Sequence, residues 1–134
     1  MSRGPHRAPG DLGHGTTDDP TIPGDAVVWR RIHRLHDVPS ERRPSSAAFT
    51  DSTDGTPMSA TLVTAGADPA AYATRWVAHG VVAISVQQLR DLGLGVTKAP
   101  TDDDPDHVSI HGEKKKAITR SLAKVAKWVV EPSR

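Results

Sequence analysis

The sequence predicts a single small α+β domain: a short, mostly antiparallel or mixed sheet with about three helices, preceded by a disordered N-terminal tail. Three observations lead there. Short β-branched runs of strand length recur between Pro- and Gly-rich loops. Two segments carry helix punctuation, and a long helical period closes the chain. Residues 1–24 show neither period and hold only two large aliphatic side chains, Leu12 and Ile22, too few to repay the entropy of ordering. Residues 25–131 therefore form the expected domain, large enough to bury roughly two thirds of its unfolded surface.

The elements follow in order. "AVVWRRIH" (26–33) reads as a strand with Val27, Trp29, Arg31 and His33 on one face and Val28, Arg30 and Ile32 on the other. A polar stretch bounded by Pro39 and Pro44 is a loop. "SSAAF" (45–49) and "MSATLV" (58–63), separated by the Asp54-Gly55 turn signal, suggest a hairpin. Asp68, Pro69 and a closing His79-Gly80 bound a helix whose Tyr72, Trp76 and Val77 make one apolar stripe. "VVAIS" (81–85) is a buried strand, and Ser85 with Gln88 forms a capping box for a short helix ended by Gly93. "HVSIH" (107–111) alternates Val108 and Ile110 with His107, Ser109 and His111. A basic amphipathic helix over 113–130 sets Ile118, Leu122, Val125 and Val129 against Lys116, Arg120, Lys124 and Lys127.

The formal net charge of +1 conceals an uneven distribution. Residues 113–134 carry seven Lys/Arg against two Glu, whereas residues 25–112 carry eight against eleven Asp/Glu. A basic segment on a mildly acidic body suits an anionic ligand or an acidic protein surface. The absence of cysteine excludes disulfides, thiolate metal sites and a cysteine nucleophile, and fits the cytoplasm. No apolar run has the length of a membrane span.

The densest chemistry lies in "PDHVSIHGEKKK" (105–116), where a strand meets a helix. Free backbone N–H groups, His111, Gly112, Lys114, Lys115 and Lys116, with Arg120 one turn on, would favour an anion there. "HVSI" also fits the H-x-S/T pattern of two-histidine phosphoesterases. The second such match, His14-Gly15-Thr16, has no strand around it. The carboxylates of "DDDPDH" (102–107) lack the ladder of a calcium loop, and His33 and His36, at helical spacing, would need a third zinc ligand such as His107 or His111 whose proximity nothing fixes, so no metal or cofactor is expected. Lysines and arginines at helical spacing admit nucleic-acid backbone contact, although one Phe, one Tyr and three Trp do not make a stacking platform.

Arginine on a first strand (Arg30 or Arg31) followed by a serine pair (Ser45, Ser46) loosely resembles ADP-ribosyltransferase folds, including RES-type toxins. The resemblance implies an arginine and a serine holding a nicotinamide dinucleotide, with a glutamate that this chain lacks between Glu41 and Glu113. "RPSSAAF" and "DPDHVSIHG" also resemble a group of small bacterial proteins sharing R-P-S-S-x-x-F and D-P-x-H-x-x-I-x-G. That resemblance implies no activity, only that Arg43, Ser45, Ser46, Phe49, His107 and Gly112 belong together.

The leading expectation is thus a small intracellular binding or accessory domain that engages a nucleotide phosphate or an acidic partner at the corner 107–116. One alternative is a nucleotide- or RNA-directed transferase or phosphoesterase with His107, His111, Ser109, Arg31 and Ser46 as candidate catalytic residues. It requires those side chains to share a pocket. Another is a protein-interaction domain without a small-molecule ligand.

Overall fold

The computed structural model of the chain describes residues 17–73 and 79–132. Alternation along β1 (Val27–Ile32) sends Val28 and Ile32 into one apolar cluster and Trp29 into another, on opposite sides of a sheet. β2 (Asp37–Val38) and β3 (Arg43–Pro44) form a small antiparallel ladder of their own. β1 joins β4 (Met58–Leu62), β5 (Gly80–Ser85), β6 (Gly95–Lys98), β7 (His107–His111) and β8 (Lys127–Val130) in one antiparallel sheet, in the order β6-β7-β4-β1-β5-β8. Three single-turn 3-10 helices, η1 (Arg34–His36), η2 (Pro39–Glu41) and η3 (Ser46–Ala48), follow β1. The longer helices are α1, described over Pro69–Ala73, α2 (Val86–Asp91) and α3 (Lys116–Val125). The chain is a single α+β domain.

One face of the sheet is covered by η3, α2 and α3. Phe49, Leu89 and Leu122 are fully buried there, in one apolar cluster with Val108 and Ile110 of β7. Side chains of this size contribute about 1.5–3 kcal/mol each when removed from water. The other face carries a smaller cluster in which Tyr72 and Ala73 of α1 cover Trp29 and Val81, with the Trp29 and Tyr72 ring centroids 6.0 Å apart.

Several local readings hold. β7 buries Val108 and Ile110 and turns His107, Ser109 and His111 the other way. The capping box of α2 is complete: the Gln88 N–H donates to Ser85 Oγ at 3.0 Å, and the Ser85 N–H donates to Gln88 Oε1 at 3.0 Å. β5 sits inside the sheet between β1 and β8.

Four readings change. Residues 17–24 of the expected tail belong to the fold: Ile22 is 1% exposed within the main core. Asp18 accepts from the Val96 N–H at 2.9 Å and from Arg90 Nε at 3.3 Å, while the Asp19 N–H donates to Val96 O at 2.9 Å. This segment thereby occupies the outer edge of β6, whose ladder groups need partners. Residues 1–16 of that tail lie outside the described residues, as do Trp76 and Val77 of the expected α1 stripe.

"SSAAF" is not half of a hairpin. Ser45 caps η3, its Oγ accepting from the Ala47 N–H at 3.2 Å, and β4 pairs with β1 and β7 instead. The Asp54-Gly55 turn does form, with Gly55 at φ +89°, but it links η3 to β4. The last helix is also shorter than 113–130. It begins at Lys116 and ends where Ala126 adopts φ −66°, ψ 135°. The chain then pairs with β5 through Lys127, Trp128 and Val130. Aromatic and β-branched residues suit a strand, and the open side of β5 supplies the hydrogen-bonding partners. Val129, counted by periodicity on the buried helix stripe, is 40% exposed.

Candidate functional site

The strand-to-helix corner satisfies itself. Gly112 takes φ +117°, a conformation open to glycine, and Lys114 folds back over it. Its ammonium donates to Ile110 O at 2.8 Å and Gly112 O at 2.7 Å and pairs with Asp51 at 2.7 Å. With its side chain 5% exposed, Lys114 is a structural clip and not a ligand cation. Lys115 lies 3.5 Å from Glu113, both well exposed. Of the residues expected to bind an anion here, Lys115, Lys116 and Arg120 are exposed, whereas His111, Gly112 and Lys114 are committed to the corner itself.

His111 Nε2 shares a 2.8 Å hydrogen bond with Thr97 Oγ1. Partial burial first, and the Lys114 ammonium second, hold its pKa below the ordinary histidine value. The imidazole therefore stays neutral in the folded chain at a pH where the unfolded chain already binds a proton. Its contribution to stability is full above pH 6.5 and is lost as pH falls from there toward the depressed folded value. Urea denaturation between pH 8 and pH 5 should show a smaller acid loss in His111→Gln than in the parent. Equal losses would refute this assignment.

The remaining candidates are divided by the sheet. His107, Ser109 and His111 share the face opposite Val108 and Ile110. His107 Nδ1 donates to Ala99 O at 2.8 Å, which places a proton on that nitrogen because a carbonyl can only accept. Arg31 lies on the same side of the sheet, its guanidinium 4.5 Å from the Tyr72 ring centroid. Ser45 caps and Ser46 opens η3, which packs beneath α3 on the other face. The arginine, serine and histidine set expected for a transferase or phosphoesterase is therefore not gathered in one cleft. The grouping of Arg43, Ser45, Ser46 and Phe49 with His107 is split in the same way. Among the described residues no three His, Cys, Asp or Glu side chains are placed to hold a metal ion.

What the fold does gather is a cleft of about 320 Å³ between α3 and the β2–β3 ladder. Its construction begins with the loop chemistry. Pro39 opens η2, Arg42 reverses the chain in the left-handed region at φ 54°, and Val38 pairs with Arg43 across the ladder. The Ser45 N–H then donates to His36 O at 2.6 Å, closing the loop. These contacts aim Arg43, Ser45 and Ser46 at the outward face of α3, where Arg120 and Lys124 follow one another by a turn. Val38, Pro44 and Ala123 supply the apolar wall, and Glu41 the single carboxylate.

The electrostatics are one-sided. Arg43 pairs with Glu41 at 2.9 Å on an exposed rim, a contact worth little in water. Among the described residues neither Arg120 nor Lys124 makes an ion pair. Three cations against one carboxylate, with two hydroxyl groups between them, can accept a multiply charged oxyanion by charge-assisted hydrogen bonds. Arg120 was legible in the sequence as part of the basic stripe, and Ser46 as half of the serine pair. Lys124 was legible on the same stripe, and Arg43 as a member of the R-P-S-S-x-x-F grouping.

Comparison with protein-family models, with curated proteins and with solved structures yields no match for this chain.

Proposed function

We propose that this chain is a small intracellular binding or accessory domain that holds an anionic, phosphate-bearing group in the cleft between α3 and η3. One observation carries the reading: Arg120 and Lys124 line the same cleft as Ser45 and Ser46, with no ion-pair partner among the described residues. The centre of the site moves from the corner at 107–116 to the middle of α3, because Lys114 is consumed by Asp51 and two carbonyls. A cysteine-free chain, in which no described helix is long and apolar enough to cross a membrane, agrees with a cytoplasmic setting.

The binding chemistry follows from the groups present. Guanidinium and ammonium supply charge, and the fork of Arg120 can take two oxygens of one phosphate. The hydroxyls of Ser45 and Ser46 can donate to a third. Titration with pyrophosphate or ADP, followed by calorimetry, tests the reading. The double charge reversal Arg120→Glu/Lys124→Glu should weaken binding by at least about tenfold, while Lys115→Gln leaves it within about twofold. No binding by the parent protein would end the proposal. An equal loss in Lys115→Gln would return the site to the corner around Gly112.

A further inference from the structure

We infer that the anion held in this cleft is a stretch of single-stranded nucleic-acid backbone, followed along α3 by Lys116, Arg120 and Lys124; this rests on the reading above and narrows it. All three side chains are exposed and lie at successive i, i+4 positions. Their Cα atoms therefore step along the helix by about 6 Å each, a spacing comparable to that of successive phosphates in an extended strand. Lys116 lies outside the cleft lining while Arg120 and Lys124 lie inside it. The charge thus continues past the cavity in the direction of the helix axis. A single phosphate would use only the part of that row within the cleft.

The shape of the site separates a nucleic-acid strand from the other anionic partners. A volume of about 320 Å³ is at the small end of ligand sites, too small to enclose a duplex. α3 buries Leu122 and Ala123 against the sheet and turns Lys116, Arg120 and Lys124 outward. An acidic protein surface would be expected to meet an apolar or aromatic anchor point. Among the described residues the exposed large hydrophobic side chains are Leu35 and Val129, and neither lines the cleft. Cations and hydroxyls beside a wall of small apolar side chains, Val38, Pro44 and Ala123, suit a phosphodiester chain, which is bound through its backbone and without base readout.

Affinity for a mononucleotide, a tetranucleotide and an octanucleotide, each measured over a range of salt concentrations with the full chain, tests the inference. The octanucleotide should bind on the order of tenfold more tightly than the mononucleotide, with a log–log salt slope near −2 for three phosphate contacts at about −0.7 each. Lys116→Gln should reduce the octanucleotide slope by about 0.7 and leave mononucleotide affinity unchanged. Octanucleotide binding no tighter than mononucleotide binding would overturn the inference and leave the phosphate site standing. Tighter binding of duplex, or equal binding of polyglutamate, would likewise overturn it. Failure of every probe, pyrophosphate included, would remove the phosphate site as well.

Discussion

Phe49→Ala is expected to destabilise the domain by about 3–5 kcal/mol, the largest effect of any single substitution considered for this chain. Phe49 is fully buried. It closes η3, its N–H donating to Ser46 O at 3.1 Å, and its ring fills the space between the sheet and α3, in the cluster that holds Leu122 and Ala123. Truncation removes the ring's transfer energy and leaves a cavity that two packed layers cannot easily close. Total stabilities of small domains run about 5–15 kcal/mol, so such a loss brings the chain close to unfolding at physiological temperature. Phe49→Leu, which keeps most of the volume, should cost less than about 1.5 kcal/mol. Urea denaturation of the two variants provides the measurement. A loss under 1 kcal/mol in Phe49→Ala would mean that η3 is not seated on α3 as described. The same seat forms the floor below Ser45 and Ser46, so Phe49→Ala should also weaken anion binding without touching the anion.

Arg30→Met is expected to cost about 2–4 kcal/mol, for a different reason. Arg30 projects from β1 into the main-core side of the sheet. Its Nε and Nη2 donate to Ala48 O at 3.0 and 2.9 Å, and its Nη1 donates to Ser59 O at 2.6 Å. Burial pulls its pKa down to about 10, which still leaves the guanidinium protonated at neutral pH. Two terms compete on substitution. Removing a half-buried cation relieves desolvation, while the buried carbonyl of Ala48 loses both its donors, at about 1–3 kcal/mol, and that of Ser59, on an exposed residue, loses less. The second term wins because methionine matches the volume but donates nothing. Arg30→Lys keeps the charge and one donor group, so an intermediate loss is expected in the same denaturation series. A stability equal to the parent in Arg30→Met would show that water replaces the guanidinium at both carbonyls. Since Ala48 ends η3, Arg30 is also a positioning residue for the serine side of the cleft.

Local chemistry was legible wherever one segment could satisfy itself. The alternation of "HVSIH" needs only the pleat of a strand, and the Ser85–Gln88 box needs only one turn of helix, so both were readable in isolation. The periodicity of α3 was readable for the same reason, up to Val125. It misled at Val129, because helical spacing continued in the sequence after the backbone had left the helix to pair with β5. Ile22 misled in the opposite direction. A lone isoleucine among prolines and aspartates carries no period, and its burial depends on β6 offering an edge and Arg90 offering a partner to Asp18.

The site divides along the same line. Arg120 and Ser46 could be singled out from the sequence, each for a separate reason, but their proximity could not, because about seventy residues lie between them. It arises from packing η3 under α3 through Phe49 and Leu122, a non-local contact. Lys114 shows the converse. Three consecutive lysines look alike in the sequence, and only the position of Asp51, brought near through the pairing of β4 with β7, removes one of them from solvent.

By itself, then, the amino-acid sequence determined the α+β class, the strand and cap assignments that depend on neighbours a few residues apart, and the concentration of positive charge near the C-terminus. The tertiary structure decided which face each functional side chain occupies, which lysine is spent internally, and which cations meet the serine pair. The physical reason is the range of the forces involved: backbone sterics and local hydrogen bonds act within a turn, whereas burial and charge pairing are settled only when distant segments share one core.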